Sequence, residues 1–169
     1  MTTSESFACA RPSLPYFGSP VVSFRPVRPE QDVEPMARLW TVTQHAVYKS
    51  PADLFDLAAT KLYLEAVLLP LHVVWVAAFQ DEAIGFIATR SGHVAQLHVA
   101  SPWQGCGIGT RLLGIAKEES SGQLTLACYR ERAGAFYRRL GFRESHILEE
   151  SQGGIYVEYR WQAEPEHTP

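Results

Sequence analysis

The 169-residue chain contains only three cysteines, Cys9, Cys106 and Cys128, widely spaced and without a CxxC pair or a Cys/His cluster. That scarcity excludes a disulfide framework and a zinc site from the expectations, and it fits a reducing, cytoplasmic setting. No metal is expected. No run approaches the roughly eighteen consecutive apolar residues of a membrane helix, so no membrane partner is expected either. Positive charge is not in excess: the formal net charge is −3, and the broad cationic field that nucleic-acid binding requires is missing. The opening segment carries Pro12, Pro15 and Pro20 with scattered Ser and Gly, and lacks the basic start and apolar stretch of a signal peptide. Residues 1–20 therefore read as a flexible tail and 163–169 as a second. Residues 21–162 read as one domain, because the length and the 46% hydrophobic content suffice for a single core.

Periodicity supplies the elements. Val21 to Val27 is β-branched and aromatic and stops before Pro29, which suits a first strand. Val33, Met36, Ala37 and Trp40 follow at the spacing of one buried helical stripe, with Asp32 placed to cap it. Ser50-Pro51-Ala52-Asp53 signals a second helix running to about Val67, stopped by Pro70. His72 to Phe79 and Ala83 to Thr89 form a hairpin about Gln80-Asp81-Glu82, and His93 to Ala100 is the next strand. Ile108, Leu112, Ile115 and Ala116 mark a helix, and Leu124 to Cys128 a fifth strand. Ala133, Phe136, Tyr137 and Leu140 mark a last, short helix that Gly141 ends. Phe142 to Leu148 and Ile155 to Trp161 pair as a terminal hairpin about Gly153-Gly154. The fold class is α/β in the mixed, α+β sense: a mostly antiparallel sheet of about seven strands with about four helices. An exposed Trp161 on the terminal hairpin would suit a homodimer.

The most informative segment is Val99-Ala100-Ser101-Pro102-Trp103-Gln104-Gly105-Cys106-Gly107-Ile108-Gly109-Thr110, a strand that turns through alternate glycines into a helix. A helix start leaves N–H groups unpaired at the positive end of the macrodipole, and glycines let backbone approach a pyrophosphate closely. The third glycine has the wrong spacing for a dinucleotide fingerprint, and no Gly-Lys-Ser/Thr of a phosphate-binding P-loop follows.

Gln104-Gly105-Cys106-Gly107-Ile108-Gly109 resembles the Q/R-x-x-G-x-G/A acyl-CoA signature of the GNAT superfamily of N-acetyltransferases. Ala133-Gly134-Ala135-Phe136-Tyr137 and Leu140-Gly141-Phe142 resemble its later A-x-x-F-Y and G-F segment. The resemblance covers roughly Val21 to Trp161. It implies a GNAT fold whose fourth and fifth strands splay into a V that holds pantetheine, and acetyl-CoA as co-substrate. It further implies cofactor contacts from Leu97, His98 and Val99 on the fourth strand, from Gln104, Gly105, Cys106, Gly107, Ile108, Gly109 and Thr110 in the turn, and from Phe136. Arg130 stands where the family often has Asn, three residues before the alanine of A-x-x-F-Y; it would reach a coenzyme phosphate instead, or the contact is missing.

The implied activity is transfer of acetyl from acetyl-CoA directly to the amine of a small molecule, in a ternary complex. A protein lysine or N-terminal acetyltransferase and a noncatalytic acyl-CoA-binding module are the alternatives. A thiol has a pKa of about 8.5 and tyrosine about 10, so Tyr137, at the family's general-acid position, would protonate the departing thiolate. His93 is the first choice for general base and shares a strand face with residues 95, 97 and 99, whereas His98 points to the other face as a pocket wall. The Val99 N–H would meet the oxyanion. Cys106 occupies an unrestricted position of the signature and reads as incidental. The acceptor would enter beside Trp40, His45, Tyr48, Phe55, Glu149 and Glu150.

Overall fold

In the computed structural model, which describes residues 5–8, 21–48, 56–151 and 154–164, every strand-forming segment joins one sheet. The chain runs β1 (Glu5–Ala8), β2 (Val21–Pro26), α1 (Pro29–Tyr48), α2 (Leu57–Tyr63), β3 (Val73–Phe79), β4 (Glu82–Arg90) and β5 (His93–Val99). It continues through α3 (Ile108–Glu119), β6 (Gln123–Tyr129), α4 (Ala135–Arg139), β7 (Arg143–Ser151) and β8 (Gly154–Gln162). The spatial order is β1-β2-β3-β4-β5-β6-β8-β7. Neighbours are antiparallel except β5 and β6.

The sequence expectation of seven strands is met by β2 to β8; its fourth and fifth are β5 and β6 here. The eighth strand is a correction. Glu5–Ala8, read as part of a loose tail, pairs with Val21–Phe24 of β2. Four residues are too few to show a strand period, and the open edge of β2 is what recruits them. Residues 9–20 and 165–169 lie outside the described residues, as does the Ser50–Asp53 helix start.

Two cores flank the sheet. On one face α1 and the helix after it bury Val33, Met36, Ala37, Trp40, Leu64 and Leu68 against Val74, Val76 and Phe86. On the other, α3 buries Ile108, Leu112, Leu113 and Ile115 against Phe24, Ile87, Leu124 and Leu126. Trp161 belongs to the rim of this second core, with the Lys117 ammonium 4.6 Å from its ring centre, so it is not the free aromatic that would nominate a dimer face.

Two helix ends also differ from the sequence reading. Asp32 is not the first cap of α1: it lies inside the helix, and its carboxylate reaches back to accept from the Arg28 N–H at 2.6 Å. Pro70 does not stop the second helical stretch, because a wide π-turn at Leu64–Leu68 precedes it. The proline then opens a new short turn, Leu69–Leu71, where no N–H is required.

The parallel pair β5/β6 is joined at one register only, His93 opposite Thr125. From that closed end the strands diverge into the V. A β-bulge accompanies the divergence: Ala88 of β4 faces Gln96 and Thr89 faces Val94, so Ala95 is an extra residue in β5.

Candidate active site

The cradle is built where β5 gives way to α3. Gly105 and Gly107 hold φ of +76° and +82°, the left-handed region that side chains resist. The first helical bond of α3 runs from the Arg111 N–H to the Gly107 carbonyl at 2.9 Å. The N–H groups of Gly107, Ile108, Gly109 and Thr110 therefore lie outside the ladder, at the positive end of the helix. At Gly109 a Cβ would stand 3.4 Å from the Phe136 ring, so the approach is shaped by glycine. Gly105, Gly107, Gly109, Thr110, Gln104 and Phe136 all face a cavity of about 560 Å³. Cys106 and Ile108 do not: their side chains are buried in the α3 core and anchor the loop from behind.

Cys106 is also disulfide-bonded, which corrects the expectation of unpaired thiols. Pairing depends on Cα separation in the folded chain, and sequence spacing carries no trace of it. Cys128 is the free cysteine among the described residues, with burial pushing its thiol up to about 12.

Within the V, Ala100 donates its N–H to Ile84 of β4 at 2.8 Å. Alternate residues of an antiparallel strand direct their backbone groups oppositely, so Leu97 and Val99 face away from β4 and into the gap. The Gln104 side-chain amide closes over the Val99 carbonyl at 2.9 Å. The gap is a second cavity, about 410 Å³, lined by Gln96, Leu97, His98 and Val99 of β5, Cys128 and Tyr129 of β6, Thr43 of α1, Tyr156 of β8, and Tyr137. Leu97, Val99, Gln104, Arg132, Ala133 and Tyr137 line both cavities, which are thus neighbours across one wall.

Tyr137 sits on α4 where the two cavities meet. Its side chain is buried, edge-on to Phe136 and Phe142. Among the described residues nothing hydrogen-bonds its hydroxyl, and burial raises its pKa above the ordinary tyrosine value. The phenol is held protonated.

Three site expectations are redirected. His93 lies at the closed end of the V, exposed, with Nδ1 3.0 Å from the Thr125 hydroxyl, and it is not among the residues lining either cavity. The bulge at Ala95 reverses the simple alternation, so His93 no longer shares the face of Leu97 and Val99. Arg130 turns to Glu144, donating through Nε at 3.2 Å and Nη at 2.7 Å, and lines neither cavity. His98 lines the cavity in the gap and faces α1 between the rings of Trp40 and Phe86 at 5.5 and 5.1 Å. Of the expected acceptor wall, Trp40 is core, Glu149 and Glu150 are exposed on β7, and the side chains of His45, Tyr48 and Phe55 lie outside the described residues.

This arrangement has relatives. Residues 70–144 match the acetyltransferase (GNAT) domain family, a span that holds the cradle, the V and Tyr137. Residues 70–144 carry the features of that GNAT domain family. The apo solution structure of YjaB from Escherichia coli is 26% identical, with a TM-score of 0.59, over 83% of this chain and 96% of that one. The coenzyme A complex of PaiA N-acetyltransferase from Thermoplasma acidophilum is 18% identical, TM-score 0.64, over 81% and 97%. An aminoglycoside 6'-N-acetyltransferase complexed with coenzyme A is 17% identical, TM-score 0.69, over 86% and 99%. No curated protein sequence matches the chain.

The two cavities include residues that the sequence did not single out. Arg132 lines both cavities, 5.8 Å from the Tyr129 ring, and Arg139 lines the cradle. Their signal was present in the runs Arg130-Glu131-Arg132 and Arg138-Arg139, but consecutive charged residues do not reveal which one turns inward. Gln96 and Thr43 also line the cavity in the gap, hereafter the acceptor-side cavity. The two residues lie more than fifty positions apart in the chain, and only folding joins them.

Proposed function

We propose that this protein is an acetyl-CoA-dependent N-acetyltransferase that acts directly on the amine of a small molecule within a ternary complex. The observation that carries this reading is the meeting of two cavities at Tyr137: a glycine-shaped cradle with a helix start on one side, and a sheet opening where β5 backbone turns away from β4 on the other. The coenzyme A complexes of similarly folded proteins support it.

The co-substrate supplies an acetyl group activated as a thioester. The N–H groups from Gly107 to Thr110 hold its pyrophosphate, and Arg132 and Arg139 offer charge to its phosphates. Leu97 and Val99 extend β5 toward the pantetheine amides. The Val99 N–H is aimed into the gap, where it accepts the negative charge developing on the thioester oxygen as the amine nitrogen bonds to the carbonyl carbon. As the C–S bond breaks, Tyr137 gives its hydroxyl proton to the thiolate sulfur and recovers one from solvent. With His93 at the closed end of the V, the amine proton leaves through water.

A small-molecule acceptor is favoured by a cavity of about 410 Å³ walled on several sides. Thiol release from acetyl-CoA across a panel of primary amines, with wild type and Tyr137→Phe, tests the reading. Turnover in wild type that falls sharply in the variant supports it. Saturable acetyl-CoA binding with no thiol release would favour a noncatalytic acyl-CoA module, and turnover confined to peptides would favour a protein acetyltransferase.

A further inference from the structure

Three side chains on two elements form a continuous polar chain into the acceptor-side cavity. Thr43 Oγ1 on α1 stands 2.8 Å from His98 Nδ1, and His98 Nε2 stands 2.8 Å from the Gln96 side-chain oxygen Oε1. The same Thr43 hydroxyl also lies 3.0 Å from the Leu39 carbonyl and 2.9 Å from the Trp40 carbonyl. Both carbonyls accept and carry no proton. If Thr43 gave its single proton to His98, three oxygens would face one another with none between them. With that proton on the helix carbonyls, Nδ1–H donates to Oγ1 and every contact carries a proton.

This direction propagates. A neutral imidazole protonated at Nδ1 has a lone pair at Nε2, so the Gln96 amide must present its N–H there. The two ends of an amide are alike in outline, and a half-turn exchanges them. The half-turn moves Oε1 away from Nε2, where it stands in the structure, to the outer end of an amide that lines the cavity. The imidazole is uncharged as this requires: burial between Trp40 and Phe86 pushes it down to about 4.

We propose that Gln96 is the acceptor-binding residue of this site, taking an N–H of the neutral amine on its carbonyl oxygen, and that the Thr43–His98 pair is the positioning device that fixes which end of the amide faces the substrate. A carbonyl that accepts one N–H leaves the amine lone pair free to turn toward the thioester. Both nitrogens of His98 are engaged, so it does not take the amine proton. The specificity consequence is a class of acceptor: a primary amine bound uncharged through its N–H, unlike a cation held by carboxylates.

This inference rests on the acetyltransferase reading for its kinetics and is independent of it for its structure. The structural arm is nitrogen-edited NMR of the full chain, which reports which ring nitrogen of His98 bears the proton. The expected form is Nδ1–H, shifting to Nε2–H in Thr43→Val. The Nε2–H form in wild type would overturn the chain even if the enzyme turns over. The kinetic arm uses hydroxylamine as the acceptor probe at saturating acetyl-CoA. Gln96→Leu is expected to lower kcat/KM for hydroxylamine about tenfold or more, with the KM for acetyl-CoA unchanged within about twofold. Unchanged hydroxylamine kinetics, or an equal loss in acetyl-CoA affinity, would overturn the role of Gln96. If Gln96→Leu does not fold, Thr43→Val carries the same expectation at smaller amplitude, and equal kinetics to wild type would count against it. Absence of thiol release by wild type, with the Nδ1–H form present, would instead overturn the acetyltransferase reading and leave the chain standing.

Discussion

The Arg130 guanidinium grips the Glu144 carboxylate in a two-pronged contact, Nε to one oxygen at 3.2 Å and Nη to the other at 2.7 Å. Arg138 and the Tyr159 hydroxyl add bonds to the same carboxylate at 2.9 and 3.0 Å, and together they hold it below the usual glutamate range. The contact turns Arg130 from the cradle. Arg130→Ala is therefore expected to leave acetyl-CoA affinity unchanged. Arg132→Ala, which removes a cation from both cavities, should weaken it about tenfold or more, the scale of a charge-assisted hydrogen bond. Calorimetric titration of both variants with acetyl-CoA checks the pair.

Tyr137→Phe removes one hydroxyl from a ring that stays packed between Phe136 and Phe142. The rate of thiol release should fall by ~10² to 10⁴, the usual contribution of a positioned acid. Acetyl-CoA affinity should change little, and a loss of binding as large as the loss of rate would assign Tyr137 to packing instead.

Gly107 precedes α3 with φ at +82°. An alanine there costs about 1–2 kcal/mol in the left-handed region and displaces the N–H groups that follow. Gly107→Ala should lower the melting temperature and weaken acetyl-CoA binding together. Gly114→Ala, inside α3 with only an arginine side-chain tip 3.6 Å from the new Cβ, is the control expected to keep affinity.

Asp32 and Arg25 form a buried pair, with Nη atoms 2.6 and 2.9 Å from the two carboxylate oxygens, which ties α1 to β2. Among the described residues Arg25 Nε is buried without a hydrogen-bond partner, so the pair is incompletely satisfied there. Asp32→Ala leaves an uncompensated buried cation and should cost about 3–5 kcal/mol. Urea unfolding measures it. A loss under about 1 kcal/mol would mean that water reaches Arg25.

His98 gives a pH dependence whose sign follows from burial. In the unfolded chain it takes a proton near its ordinary 6.5, whereas the folded site refuses one until about 4. Between those values the unfolded state binds more protons, so stability falls as pH drops from 6.5 toward 4, by about 3 kcal/mol in full. Carboxylates elsewhere add their own slopes, so the measurement is the difference between wild type and His98→Gln across that window. The variant should be flatter.

Legibility in the sequence tracked distance along the chain. The α3 stripe and the Gly107–Thr110 helix start were readable because their residues lie within one helical turn of one another, where local geometry decides. Tyr137 was readable because its neighbours Phe136 and Leu140 repeat a helical period and resemble a family motif. His93 was not, because one extra residue at Ala95 reverses the alternation on which its face was inferred. A bulge needs a partner strand to be defined.

Local rules in the amino-acid order were enough to set the strands and helices, the glycine turn, and the placing of a phenol on a short helix after the fifth predicted strand. Helical and strand periods act over a few residues, and each residue's own backbone preferences express them. The folded chain alone decided which arginine faces the cradle, that Cys106 is disulfide-bonded, and that Thr43 meets His98 and Gln96 in one cavity. Those outcomes depend on packing between distant segments, where partners and competing charges, such as Glu144 for Arg130, determine the direction of each side chain.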